Sequence, residues 1–149
     1  MSGARIVLTD APTDADRSVI GDGLNDYTRQ KAGYRDNRPL AALVKDPVTS
    51  ETVGGMYGRT SYGLLFIDLV FLPDDLRGQD LGSRLLAAME SEAVARGCTA
   101  GFLLTITLQA PGFYAKRGWE EFGRITTDPP GIARVFFRKS FHMGRDGEL

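Results

Sequence analysis

Three groups of residues in this chain have types and spacings that could do chemistry. The segment Leu76-Arg77-Gly78-Gln79-Asp80-Leu81-Gly82-Ser83 joins small residues and a guanidinium to the start of an amphipathic stretch. Small residues let a ligand approach the backbone. The first N–H groups of a helix point outward with the positive end of its dipole, which suits an anion such as a pyrophosphate. An ordinary strand-to-helix loop, with Gly78 and Gly82 present only to turn the chain, would read the same way. Further on, Tyr114 lies in Gln109-Ala110-Pro111-Gly112-Phe113-Tyr114-Ala115-Lys116-Arg117-Gly118-Trp119. Its hydroxyl could donate a proton to a leaving anion, or it could be a half-buried aromatic with a wet tip. Asp68 is the one polar member of the apolar run Gly63 to Leu72. It could take a proton from an amine, directly or through water, with burial raising its pKa. It could equally form a structural ion pair, for instance with Arg59.

These residues need elements to position them. Gly63 to Leu72 (GLLFIDLVFL) reads as a central strand covered on both faces. Strict alternation would set Asp68 on the face of Phe66 and Val70, opposite Ile67 and Leu69. Leu81, Leu85, Leu86, Met89 and Ala93 trace one helical face, and Gly97 follows as a left-handed cap. Ala100 to Ile106 returns as a strand, and a strand–helix–strand crossover favours parallel pairing. Pro111 opens a short helix that Gly118 closes, and two last strands flank Asp128-Pro129-Pro130-Gly131. Upstream, Arg5 to Thr9 is a strand candidate, and Thr13 caps a helix from Asp14 to about Lys31 that Gly21 and Gly23 could split. Pro39 to Lys45 and Thr52 to Thr60 flank a hairpin turn at Asp46 to Ser50. The result is a mixed α/β, α+β-like layer fold.

Composition removes several functions. The 149 residues carry 18 basic and 19 acidic side chains, a net charge of −1, where a nucleic-acid binder would usually be clearly basic. Cys98 is the only cysteine and His142 the only histidine, so disulfide frameworks, thiolate or histidine metal sites and a Ser-His-Asp triad are all disfavoured. No apolar run approaches the roughly 18 residues of a membrane span, and MSGARIVLTD is not a secretory signal, so a cytoplasmic protein is expected. Neither a GxxxxGK[ST] loop nor a GxGxxG fingerprint is present, which argues against NTP hydrolysis and NAD chemistry. Phe136-Phe137 could pair across a homodimer, but core packing is the expectation. Tyr27, Tyr34, Tyr57, Tyr62, Arg35, Arg38 and Arg59 could shape an acceptor site, or simply be surface and hairpin residues.

Taken together, the loop and the tyrosine segment resemble those of the GNAT N-acetyltransferase superfamily, through the region from about Leu64 to Gly123. Arg77, Gly82 and the flanking Gly78 fit its acyl-CoA loop, Arg/Gln-x-x-Gly-x-Gly/Ala. Tyr114, Gly118 and the aromatic Trp119 fit its Tyr-x-x-x-Gly-Phe, with Ala110 in register. The resemblance implies a single domain, 1–149, with a mostly antiparallel twisted sheet, one splayed parallel strand pair and helices on both faces. It implies acetyl-CoA as co-substrate, no metal, and direct attack by an amine acceptor. The backbone of Val70, Phe71 and Leu72 would pair with the pantetheine arm, amides from Gln79, Asp80, Leu81, Gly82 and Ser83 would hold the pyrophosphate beside Arg77, and Tyr114 would protonate the departing thiolate. Two positions depart from the pattern. Asp80 replaces the first loop glycine, where its charge would oppose a pyrophosphate unless it pairs with a residue such as Arg84. Thr107 stands where an asparagine often contacts the cofactor. Both departures motivate an alternative, a non-catalytic acyl-CoA-sensing module.

Overall fold

The computed structural model describes residues 3–107 and 111–141; Gln109, Ala110 and His142, singled out above, lie outside them. The chain divides into two compact units, 1–36 and 37–149. In the first, α1 (Asp14–Ala32) runs without a break. Its start is a reciprocal cap: the Asp16 N–H donates to Thr13 Oγ1 at 3.0 Å, and the Thr13 N–H donates to Asp16 Oδ2 at 2.9 Å. That bond from the Thr13 backbone lowers the Asp16 pKa. Acids in the first turn, bases in the last and a left-handed Gly33 complete the helix. These end effects outweigh the propensity cost of Gly21 and Gly23, and the helix is not split there. Nor is there a strand at Arg5–Thr9: among the described residues its own unit holds no strand to offer its backbone a ladder.

The second unit is built on one sheet. Its strands are β1 (Arg38–Lys45), β2 (Thr52–Ser61), β3 (Leu64–Phe71), β4 (Ala100–Ile106), β5 (Glu120–Thr126) and β6 (Ala133–Ser140), in spatial order β1-β2-β3-β4-β6-β5. Asp46 makes the first hairpin, accepting the N–H groups of Val48 and Thr49 at 2.8 and 2.9 Å. Between β3 and β4 lies α2 (Leu81–Ala95), and between β4 and β5 lies the short α3 (Pro111–Ala115). The only parallel pair among the described strands, β3 with β4, is joined by the α2 crossover, as crossover geometry requires. Every other pair is antiparallel. α2 and α3 pack on one sheet face, where Leu85, Leu86, Met89, Ala93 and Tyr114 meet Met56, Leu65, Ile67, Leu103, Val135 and Phe137. Phe137 is therefore core, while Phe136 faces the other way against Phe122.

Two features of β3 correct the expected strand. It pairs with β4 only from Leu64–Ala100 to Ile67–Leu103, and beyond that the two strands part. Its second half, Asp68 to Phe71, is exposed rather than covered on both faces. Within it sits a bulge. Ile67 pairs with Gly58 and Leu69 with Tyr57, which leaves Asp68 without a partner across the ladder. Every residue past the bulge is thereby inverted. Val70 now shares the inner face with Ile67, while Leu69 and Phe71 share the outer face with Phe66, contrary to simple alternation.

Candidate active site

Where β3 and β4 part, a cavity of about 860 Å³ opens, within the range that holds a large ligand. One wall is the second half of β3, Asp68 to Leu72; the other is Leu103, Leu104 and Thr105 of β4. Its end is formed by Arg77, Gly78, Asp80, Leu81, Gly82 and Ser83, and Phe113, Tyr114 and Arg117 close the side. Strand, loop, helix start and tyrosine, far apart in the sequence, thus border one space.

At the helix start, Asp80 is left-handed with φ +63°. The first intrahelical bond is donated by the Arg84 N–H to the Asp80 carbonyl at 3.1 Å, so the N–H groups of Leu81, Gly82 and Ser83 come before the ladder begins. They form a cradle for an anion, reinforced by the helix dipole. Gly82 matters for clearance, because a Cβ there would lie 3.3 Å from the Phe113 ring. Asp80 adopts the left-handed backbone that aspartate tolerates, yet its side chain makes no cap hydrogen bond, and no ion pair with Arg84 is found among the described residues. Arg77 is at the rim, its guanidinium 3.4 Å from Asp74 and donating to the Leu72 carbonyl at 3.3 Å.

Tyr114 is 7% exposed, with its ring held edge-on by Phe113 and Trp119 and tilted against Phe137. Burial pushes its phenol pKa above the ordinary value of 10.0, so the hydroxyl stays protonated at neutral pH and can donate. The turn after it is braced from α2. Glu90 accepts from Lys139 Nζ at 2.7 Å and from Trp119 Nε1 at 3.0 Å; Lys139 also donates to the Arg117 carbonyl at 2.9 Å. The Trp119 N–H returns to the Tyr114 carbonyl at 3.1 Å.

Not every expected residue is here. Asp68 lines the cavity but is exposed, so the burial expected of it is missing; it pairs with no cation among the described residues, and Arg59 lies over the Phe66 ring instead. Gln79 does not line the cavity and donates its side-chain amide to the Asp75 carbonyl at 3.4 Å. Thr107 is also outside the lining: its hydroxyl accepts the Ala133 N–H at 3.1 Å and ties the end of β4 to β6. Sequence reasoning missed Arg117, whose guanidinium stacks 3.9 Å over Phe113 and donates to the Phe113 carbonyl at 2.9 Å. The basic pair Lys116-Arg117, one turn after Tyr114, was the available signal.

Residues 41–139 match the family model described as the acetyltransferase (GNAT) domain. The chain belongs to the GNAT acetyltransferase family. It is an acyltransferase. Acetyltransferase Atu2258 of Agrobacterium fabrum is 31% identical over 135 residues, 91% of this chain and 98% of that one. The blasticidin-S acetyltransferase of Streptomyces morookaense is 39% identical over 83 residues, 55% of this chain and 61% of that protein. A crystal structure from Agrobacterium tumefaciens superposes with a TM-score of 0.84 at 29% identity, over 93% of this GNAT chain and all of the other. The mixed α/β fold, a six-stranded mixed sheet with helices, thus matches that of its GNAT neighbour.

Proposed function

We propose that this GNAT acetyltransferase moves an acetyl group from acetyl-CoA to a primary amine of a small molecule or protein, by direct attack in a ternary complex. The observation that carries the reading is one continuous space bordered by the half of β3 that leaves β4, the start of α2 and the buried Tyr114. The site fits the co-substrate on these grounds. Past Ile67, β3 has no partner on its β4 side, so the backbone of Val70 to Leu72 can receive an amide-bearing arm as an added strand. Leu81, Gly82 and Ser83 offer N–H groups to a pyrophosphate, with Arg77 and Arg117 supplying positive charge at the margin.

Acetyl-CoA supplies an acyl group already activated as a thioester. The amine nitrogen bonds to the carbonyl carbon as the carbon–sulfur bond breaks; the amine gives up one proton and the sulfur gains one. Tyr114 donates to the sulfur, a role its raised pKa favours. Asp68, solvent-accessible at the cavity wall, takes the first proton of the ammonium, directly or through water, and passes it to solvent before attack; the second, released as the amide forms, restores the Tyr114 phenol through water. Because the amine attacks the thioester itself, the step needs no covalent intermediate on a protein nucleophile. The test is release of free thiol from acetyl-CoA with an amine panel. Tyr114→Phe should lower kcat by about a hundredfold or more while acetyl-CoA still binds. Unchanged turnover would remove Tyr114 from the mechanism, and acetyl-CoA binding without turnover on any amine would favour a sensing module.

A further inference from the structure

On the sheet face away from α2 is a second, smaller hollow of about 160 Å³. It arises from register. Leu43, Gly55 and Phe71 stand in one row across β1, β2 and β3, and the middle member has no side chain. Tyr57 and Leu69 pair in the next row, so Leu43, Tyr57, Leu69 and Phe71 ring a floor of bare backbone. Only glycine fits that floor: a Cβ on Gly55 would lie 2.3 Å from the Ala42 carbonyl oxygen, and its φ is +144°. All four walls are at least half exposed, from 50% at Tyr57 to 63% at Leu69.

Two observations connect this hollow to the acyl-transfer cavity. Met56, Leu69 and Phe71 line both. Asp68, whose carboxylate has no cation partner among the described residues, directly precedes Leu69 at the bulge that turns Leu69 and Phe71 to this face. A primary alkylamine with a pKa near that of lysine, about 10.4, arrives as a cation. The hollow's four apolar walls form an open depression that one compact apolar group can cover, taking that surface out of water. We infer that the acceptor is a small primary amine bearing one compact apolar group, its ammonium facing Asp68 and that group seated among Leu43, Tyr57, Leu69 and Phe71. This assignment rests on the acyl-transfer reading and adds to it the class of acceptor.

The experiment compares thiol release from acetyl-CoA with 2-phenylethylamine and with ethanolamine. The expected kcat/KM is at least about tenfold higher for 2-phenylethylamine, the scale on which an apolar pocket discriminates. Leu43→Asn, which makes the wall polar, and Leu43→Trp, which fills the space, should each erase the preference through KM for 2-phenylethylamine. Both should leave ethanolamine turnover and KM for acetyl-CoA unchanged. Equal use of the two amines by the native protein, or a preference that survives both variants, overturns the inference. Turnover of a lysine peptide or a polyamine with neither monoamine used also overturns it and leaves the acyl-transfer reading standing. Thiol release with no amine at all would instead sink that reading.

Discussion

Tyr114 sets two expectations through its surroundings. Because the folded chain holds the phenol pKa above 10.0, no falling limb from Tyr114 should enter the rate profile below that value. The same shift is linked to stability. Above the unfolded pKa the unfolded chain loses the proton first, so the contribution is intact below about pH 10 and disappears as pH rises through the folded value. Thermal melts from about pH 8 to pH 11 should show this loss, and Tyr114→Phe should flatten it. Asp80 gives a second expectation. Asp80 stands at the start of the N–H cradle in a left-handed backbone that glycine would adopt without strain. Asp80→Gly should lower KM for acetyl-CoA roughly threefold or more, most clearly at low salt. Calorimetry with CoA checks it, and unchanged affinity would mean that the carboxylate points away. Both residues were visible in the sequence by type and spacing. Asp68 was visible too, but its surroundings were not: a period of two carries no mark of an inserted residue, so the bulge and the inverted faces beyond it appear only once β2 is alongside. Thr107 stood at a suggestive position, yet its hydroxyl accepts from Ala133, a partner that arrives from a distant strand.

At the scale of elements, helices with one apolar stripe were the most legible. The spacing of Leu81, Leu85, Leu86, Met89 and Ala93 fixes both the extent and the buried face of α2, because each side chain has a single direction to go. β4 was read to its ends, Ala100 to Ile106, because the left-handed Gly97 breaks the helix before it. β3 misled, since an apolar residue facing an open ligand cavity looks in sequence like one facing core. Arg5–Thr9 misled as well, because strand propensity is worth little without a partner. The packing over β4 is tight enough to test at one position. A Cβ on Gly101 of β4 would lie 2.9 Å from Trp119 and 3.1 Å from Phe141. Gly101→Ala should therefore cost about 1–3 kcal/mol in urea unfolding, as overpacked cores do. A loss well below that range would show that both rings can shift at little cost.

At the scale of the whole second unit, its buried cluster among the described residues runs from Met56 to Phe141. The brace at Glu90 has a consequence at this same scale. One carboxylate fastens α2, whose first turn is the proposed anion cradle, to the bend that follows Tyr114, the proposed proton donor. The interval between those two stations is hence written into the apo scaffold, like the gauge of a track, and a visiting molecule has no need to set it. Warming that loosens this joint would let the gauge wander, so turnover would fade while the sheet was still intact, and inactivation would run ahead of melting.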